Sequence, residues 1–214
     1  MKILFIGNSH TYYNDMVHTV QRLLAATGEK AHVTMLTRGG KPLTFHAQDP
    51  ATPFNIRYGD YDAVIAQDRA SSFDAASFEE GATALKAMAD AAGSKFMLYM
   101  PWALRDHREA QRDMTEAYLS FCRRTGCRFA PAGEVFGKLL LTEPVDALYR
   151  EDGNHATPLG SYAAAVTVFY TLTGRKRTVI PTKIDDPGIA DGFDPTLCTH
   201  IHATACHVAR LYNG

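Results

Sequence analysis

Short apolar runs rich in β-branched or aromatic residues alternate along the chain with stretches of helical period, the pattern of βαβ units and a mostly parallel sheet. Five runs read as strands: Lys2 to Gly7, Ala31 to Leu36, Asp62 to Gln67, Lys95 to Met100 and Cys127 to Pro131, each apolar enough to be covered on both faces. Between them, apolar positions three and four apart mark helices. Met16, Val20, Leu23 and Leu24 share a face that stops at Gly28; Phe78, Ala82, Leu85 and Ala89 share one that stops at Gly93; Ala110, Met114, Tyr118 and Phe121 share one that stops near Gly126. Thr157-Pro158 is an N-cap followed by proline at the first helical position, opening a helix through Tyr162, Val166 and Phe169 to Gly174. Asp194-Pro195 repeats the signal for a last helix carrying Leu197, Ile201, Ala205, Val208 and Tyr212, and residues 175 to 193 read as a connecting loop. No repeat or low-complexity tract divides the chain, so residues 1 to 214 are expected to form a single α/β domain.

Composition narrows the function classes. With 46% hydrophobic and 21% charged residues, the 214-residue chain can bury a sizeable core. Its 22 Lys and Arg against 23 Asp and Glu leave no basic excess for a phosphate backbone, so no nucleic-acid partner is expected. The longest apolar stretches, such as Ile3 to Ile6 and Phe96 to Met100, fall far short of the roughly 20 residues of a membrane span. The run near Met1 is also shorter than the roughly seven to fifteen residues of a signal-peptide core. Cys122, Cys127, Cys198 and Cys206 include no CxxC and lack the density of a disulfide scaffold, so a reducing, cytoplasmic location is expected. Cys198, His200, His202, Cys206 and His207 raise a metal site, but helical positions eight apart lie roughly 12 Å apart along the axis, too far for one zinc ion. Buried thiols with exposed histidines, and no metal, is the expectation there.

The first predicted strand ends in Gly7-Asn8-Ser9-His10-Thr11, which puts Ser9 at the carboxyl edge of the sheet, where open α/β folds bind their ligands. A serine nucleophile needs a base for its proton, and the base needs a carboxylate to hold its tautomer and stabilise the imidazolium. Asp152-Gly153-Asn154-His155 supplies both, with Gly153 easing the turn between them.

Ser9 after the first strand, Gly39-Gly40 after the second and Asp152-x-x-His155 before the penultimate helix resemble the SGNH (GDSL-type) hydrolase family over residues 1 to 174, closest to small bacterial-type members whose first block reads Gly-Asn-Ser. The family's Gly-Asp-Ser block reads Gly7-Asn8-Ser9 here. The resemblance implies a three-layer α/β/α, flavodoxin-like fold with a central, mostly parallel five-stranded sheet. It implies Ser9 as nucleophile, His155 as general base and acid, and Asp152 as its orienter. Backbone N–H groups of Ser9 and Gly40 would hold the oxyanion. The third block departs from the family: Gln67-Asp68-Arg69-Ala70-Ser71 stands where Gly-x-Asn-Asp is usual, so the third oxyanion donor is the Gln67 amide or the Ser71 hydroxyl. The implied activity is ester hydrolysis of a small-molecule substrate, leaning to a short acyl or O-acetyl ester on a carbohydrate, with no cofactor.

Two other readings stand beside it. Ser9, Thr11 and Asn14 could cradle a phosphate at a helix N-terminus, making the chain a nucleotide-binding flavodoxin-like module; or the chain could bind carbohydrate without turnover. Trp102, Tyr12, Tyr13, Phe45 and Phe73 fall on the same edge as Ser9 and are either a pocket wall or packing under the loops.

Overall fold

The computed structural model describes residues 1–178 and 185–214. Strands β1 (Lys2–Gly7), β2 (His32–Thr37), β3 (Ala63–Gln67), β4 (Lys95–Met100) and β5 (Arg128–Pro131) form one sheet in the order β2-β1-β3-β4-β5. Every pairing is parallel, with Phe5 facing Met35 on one side and Ile65 on the other. Alternating side chains separate two cores. Ile3, Phe5, Ile65, Met97 and Tyr99 point to one face, and Leu4, Ile6, Val64, Leu98 and Met100 to the other.

The first face is covered by α2 (Met16–Ala26), α7 (Ala132–Leu139), α9 (Pro158–Thr173) and α11 (Pro195–Asn213), and the second by α3 (Leu43–Gln48), α4 (Thr52–Tyr58), α5 (Ala75–Ala91) and α6 (Gln111–Thr125). The result is a three-layer α/β/α fold. Short helices α1 (Ser9–Tyr12), α8 (Val145–Leu148) and α10 (Pro187–Ala190) punctuate the loops. Helix α9 is buried almost all round, as its run of Ala, Val and Phe requires. Thr157 caps it by accepting the Gly160 N–H at 3.1 Å, and Gly174 ends it at φ 63°. Asp194 caps α11 in the same way.

The edges of the sheet are managed by side chains from the helices. Asn213 of α11 accepts the Phe129 N–H and donates to the Phe129 carbonyl, both at 3.0 Å, while Gln21 of α2 accepts the Val33 N–H at 3.0 Å. Strand β2 corrects the expectation of burial on both faces: at the sheet edge it is only half-buried, and Met35 is 49% exposed. Ala110 is also exposed, because a 3₁₀ segment (Arg105–Ala110) precedes α6 and places it outside the helix. Of the loop expected over 175 to 193, α10 occupies part and residues 179 to 184 lie outside the described residues.

A second correction concerns α11. His202 is fully buried, its Nε2 2.8 Å from Asp186 Oδ2 and its Nδ1 2.9 Å from the Tyr170 hydroxyl. Tyr162 donates to Asp186 Oδ1 at 2.8 Å, and the Gly188 N–H donates to the same oxygen at 2.7 Å. Burial raises the Asp186 carboxyl, but the hydrogen bonds from His202 and Tyr162 outweigh it and hold it below its ordinary value. The cluster ties α10 and α11 to α9. Removing one partner leaves a buried polar group unpaired, so Asp186→Ala should lower stability by about 3–5 kcal/mol and Asp186→Asn by much less. Urea unfolding at constant slope checks this; equal, sub-kilocalorie losses for both variants would contradict it.

Candidate active site

In the order β2-β1-β3 the chain reverses direction across the sheet at β1, so the loops after β1 and β3 part and leave a crevice at their carboxyl ends. Ser9 opens α1 there. Asn8 caps that helix, its Oδ1 accepting the His10 N–H at 3.1 Å, and its Nδ2 donates to the Lys41 carbonyl at 3.1 Å. The Asn8 N–H and the Thr11 hydroxyl both donate to Gln67 Oε1, at 3.1 and 2.8 Å, and Gln67 Nε2 donates to the Asp68 carbonyl. A Cβ at position 7 would lie 2.7 Å from Gln67 Oε1, so glycine there is what lets the amide approach. Asp68 accepts the Leu43 N–H at 2.8 Å. The end of β3 thus fastens the loops that follow β1 and β2.

The second half of the site comes from the turn before α9. Asp152 Oδ1 accepts the N–H groups of Asn154 and His155, both at 2.9 Å, with Gly153 at φ 66°. Its Oδ2 lies 2.6 Å from His155 Nδ1, and His155 Nε2 lies 2.8 Å from Ser9 Oγ. A carboxylate only accepts, so the ring proton sits on Nδ1 and the Nε2 lone pair accepts from the Ser9 hydroxyl. Desolvation raises the Asp152 carboxyl, but the His155 ring and the two N–H donors together hold it well below its ordinary value. The carboxylate is therefore ionised wherever a neutral histidine could act.

The imidazole is also held by its faces. Tyr13 stacks on it at 4.2 Å between centroids and 19° between planes, and His10 stands at 5.6 Å and 28°. Asn14 Nδ2 donates to the Ala156 carbonyl at 3.0 Å and to Ser161 Oγ at 2.8 Å, joining the serine loop to the histidine loop. Trp102 Nε1 donates to the Asn154 carbonyl at 2.9 Å, and His10 Nε2 lies 3.1 Å from the same oxygen. A cleft of about 700 Å³ adjoins Asp152, lined by both Arg105 and Arg150 and both Asp146 and Glu151.

Solved structures superimpose on most of the chain. A DUF4886 family protein from Bacteroides uniformis aligns with a TM-score of 0.79 at 20% identity, over 100% of this chain and 96% of its own. A candidate SGNH hydrolase from Slackia heliotrinireducens aligns at 0.66 and 23%, over 80% and 98%, and a catalytic mutant of an acetylxylan esterase from Geobacillus stearothermophilus at 0.63 and 15%, over 79% and 92%. The chain shares the fold of these proteins. No protein-family model matches the sequence, and no curated protein matches it.

Within this fold, Ser9 on one loop meets His155 and Asp152 on another, with His155 lying 146 residues after Ser9. Gly40 follows β2 at φ 68° on the loop that Asn8 holds through Lys41. Gln67 is buried at the end of β3 with both ends of its amide engaged, and Ser71 is half-buried farther along the same loop. Of the aromatics, Tyr13 touches His155, Trp102 is buried against Phe136 at 4.2 Å, and Phe73 packs on Phe78 and Tyr118. Reading the sequence missed the part played by His10, although it sits in the quoted serine block, and that of Asn14, which it raised only as part of a phosphate cradle. Among the described residues no group of three or more His, Cys, Asp or Glu side chains could hold a metal ion.

Burial, and then the nearby His155, lower the His10 pKa to about 4. A folded value below the unfolded one means that the unfolded chain binds more protons between pH 6.5 and 4, so stability is lost as the pH is lowered through that window. Relative to His10→Gln, the wild type should lose on the order of 3 kcal/mol between pH 7 and 4, read from urea midpoints. Parallel profiles for the two proteins would contradict it.

Proposed function

We propose that the protein is an ester hydrolase that cleaves a short acyl or O-acetyl ester, on a carbohydrate, through an acyl-enzyme on Ser9. The observation that carries the reading is the continuous hydrogen-bonded chain from Ser9 Oγ through His155 to Asp152. His155 Nε2 takes the hydroxyl proton as Ser9 Oγ attacks the ester carbonyl, and Asp152 stabilises the imidazolium that results. The imidazolium then protonates the leaving alkoxide, and a water deprotonated by the same nitrogen releases the acid. No cofactor enters these steps.

The tetrahedral oxyanion would take the backbone N–H groups of Ser9 and Gly40. Gln67 enters as a positioning residue, because its Nε2 is already bonded to the Asp68 carbonyl and its Oε1 holds Asn8 and Thr11. Asn8 has a matching role: its acceptor oxygen caps α1, and its amide nitrogen ties the Gly40 loop to the nucleophile. An aspartate at position 8 could do the first and not the second. The mixed charge of the adjoining cleft suits a neutral substrate such as a sugar ester, and the same-fold acetylxylan esterase agrees with that choice. A phosphate cradle is poorly supported, since the Thr11 hydroxyl and the Asn14 amide are engaged within the protein.

Hydrolysis of p-nitrophenyl acetate by purified protein tests the reading. Ser9→Ala should lose roughly a thousandfold or more in kcat, and Asn8→Asp, assayed where it is still folded, about ten- to a hundredfold in kcat/KM. Ser9→Ala within tenfold of wild type would overturn the mechanism, and an unaltered Asn8→Asp the role given to the Lys41 tie.

A further inference from the structure

At the amino end of β5, on the side of the sheet away from Ser9, two free thiols face each other. Cys122 stands in the last turn of α6 and Cys127 immediately before β5; their Sγ atoms are 3.1 Å apart. Gly126, at φ 72°, turns the chain back between them, and its N–H donates to the Cys122 carbonyl at 2.8 Å. The remaining pair, Cys198 and Cys206, is buried in α11 at positions eight apart and is not brought together. A disulfide spans about 2.05 Å between sulfurs, so Cys122 and Cys127 need to approach by about one ångström.

We infer that Cys122 and Cys127 are a redox modification site, which a hydroperoxide converts to a reversible intramolecular disulfide. The two sulfurs are not equivalent. Thr125 Oγ1 donates to Cys127 Sγ at 3.4 Å, and Cys127 is partly exposed while Cys122 is buried. The hydrogen bond from Cys122, opposed by desolvation and reinforced by Thr125 and Lys86, lowers the Cys127 thiol to about 7. The same pairing, with burial, raises Cys122. Cys127 is thus the attacking thiolate and Cys122 the resolving thiol.

In the first step the Cys127 thiolate attacks hydrogen peroxide: an S–O bond forms, the O–O bond breaks, and the departing hydroxide takes a proton to become water. Cys122 Sγ then attacks the Cys127 sulfenic acid. The S–S bond forms as S–O breaks, and the leaving hydroxide accepts the Cys122 proton. Two thiols and one peroxide give one disulfide and two waters, and a dithiol reductant reverses the change. The linked residues lie at the opposite end of the sheet from the triad, so the modification is independent of the proposed hydrolysis.

The test treats the fully reduced protein with hydrogen peroxide and follows intact mass and thiol-blocked peptides. Loss of two hydrogens, mapped to a Cys122–Cys127 link and undone by dithiothreitol, is the expected result. Cys122→Ser should accumulate a sulfenic acid on Cys127, trapped by dimedone, and Cys127→Ser should react at Cys122 at least about tenfold more slowly. Two outcomes overturn the inference: thiols of the wild type that oxidise without forming this link, or a Cys122 that reacts in Cys127→Ser as fast as Cys127 does in Cys122→Ser.

Discussion

One contact of 2.8 Å, between Ser9 Oγ and His155 Nε2, joins two loops 146 residues apart, and the rest of the site is arranged so that it can exist. The parallel sheet delivers Ser9 to the carboxyl edge at the point where strand order reverses. Helix α9 fixes the other loop from below, through a Thr157 cap and through Asn14, which reaches from the serine loop to the Ala156 carbonyl and Ser161. Aromatic faces then restrict the imidazole to one plane, with Tyr13 on one stacking contact and His10 on another. The N–H groups of Asn8 and His10, on either side of Ser9, are taken by the side chains of Gln67 and Asn8, and the Ser9 hydroxyl is bonded to the His155 ring.

Among the described residues Asp and His pair three times; Asp15 and His18 meet at the exposed surface, and the environments of the other two pairs separate their roles. Asp152 keeps 48% of its side chain accessible and its histidine reaches a serine hydroxyl. Asp186 and His202 are wholly buried, and tyrosine hydroxyls occupy the remaining positions on both partners. With both ring nitrogens of His202 taken inside the core, the Asp186–His202 pair serves as a strut between α9 and α11. A short carboxylate–imidazole distance therefore says little about chemistry until the far nitrogen of the ring is traced to its own partner.

Much of this was legible in the residues. Glycine stops and proline-capped starts marked the long helices, and short apolar runs rich in β-branched or aromatic residues marked all five strands to within a residue or so. The spacing Asp152-x-x-His155 ahead of a capped helix identified the turn that meets Ser9. Other features depend on tertiary placement. The exposure of Met35 follows from the edge position of β2, which strand composition does not encode. The pairing of Asp186 with His202 joins a stretch without periodicity to a helix face. Gln67 carries the chemistry of an oxyanion donor, but the sequence does not encode the partners of its amide: Oε1 accepts from Asn8 and Thr11, and Nε2 donates to the Asp68 carbonyl. Helix α7 was discoverable, since Val135, Phe136 and Leu139 have helical spacing and are all buried.

The central claim is that Ser9, alone among the serines, has a hydroxyl activated by a His155 ring that the ionised Asp152 carboxylate holds in place. Labelling the native protein with a fluorophosphonate and locating the adduct by peptide mass spectrometry tests this most directly, without knowledge of the natural substrate. The account predicts a single adduct, on the peptide containing Ser9, which forms far more slowly when His155 is replaced by alanine. An adduct on another residue, or labelling of Ser9 at an undiminished rate without His155, would contradict it.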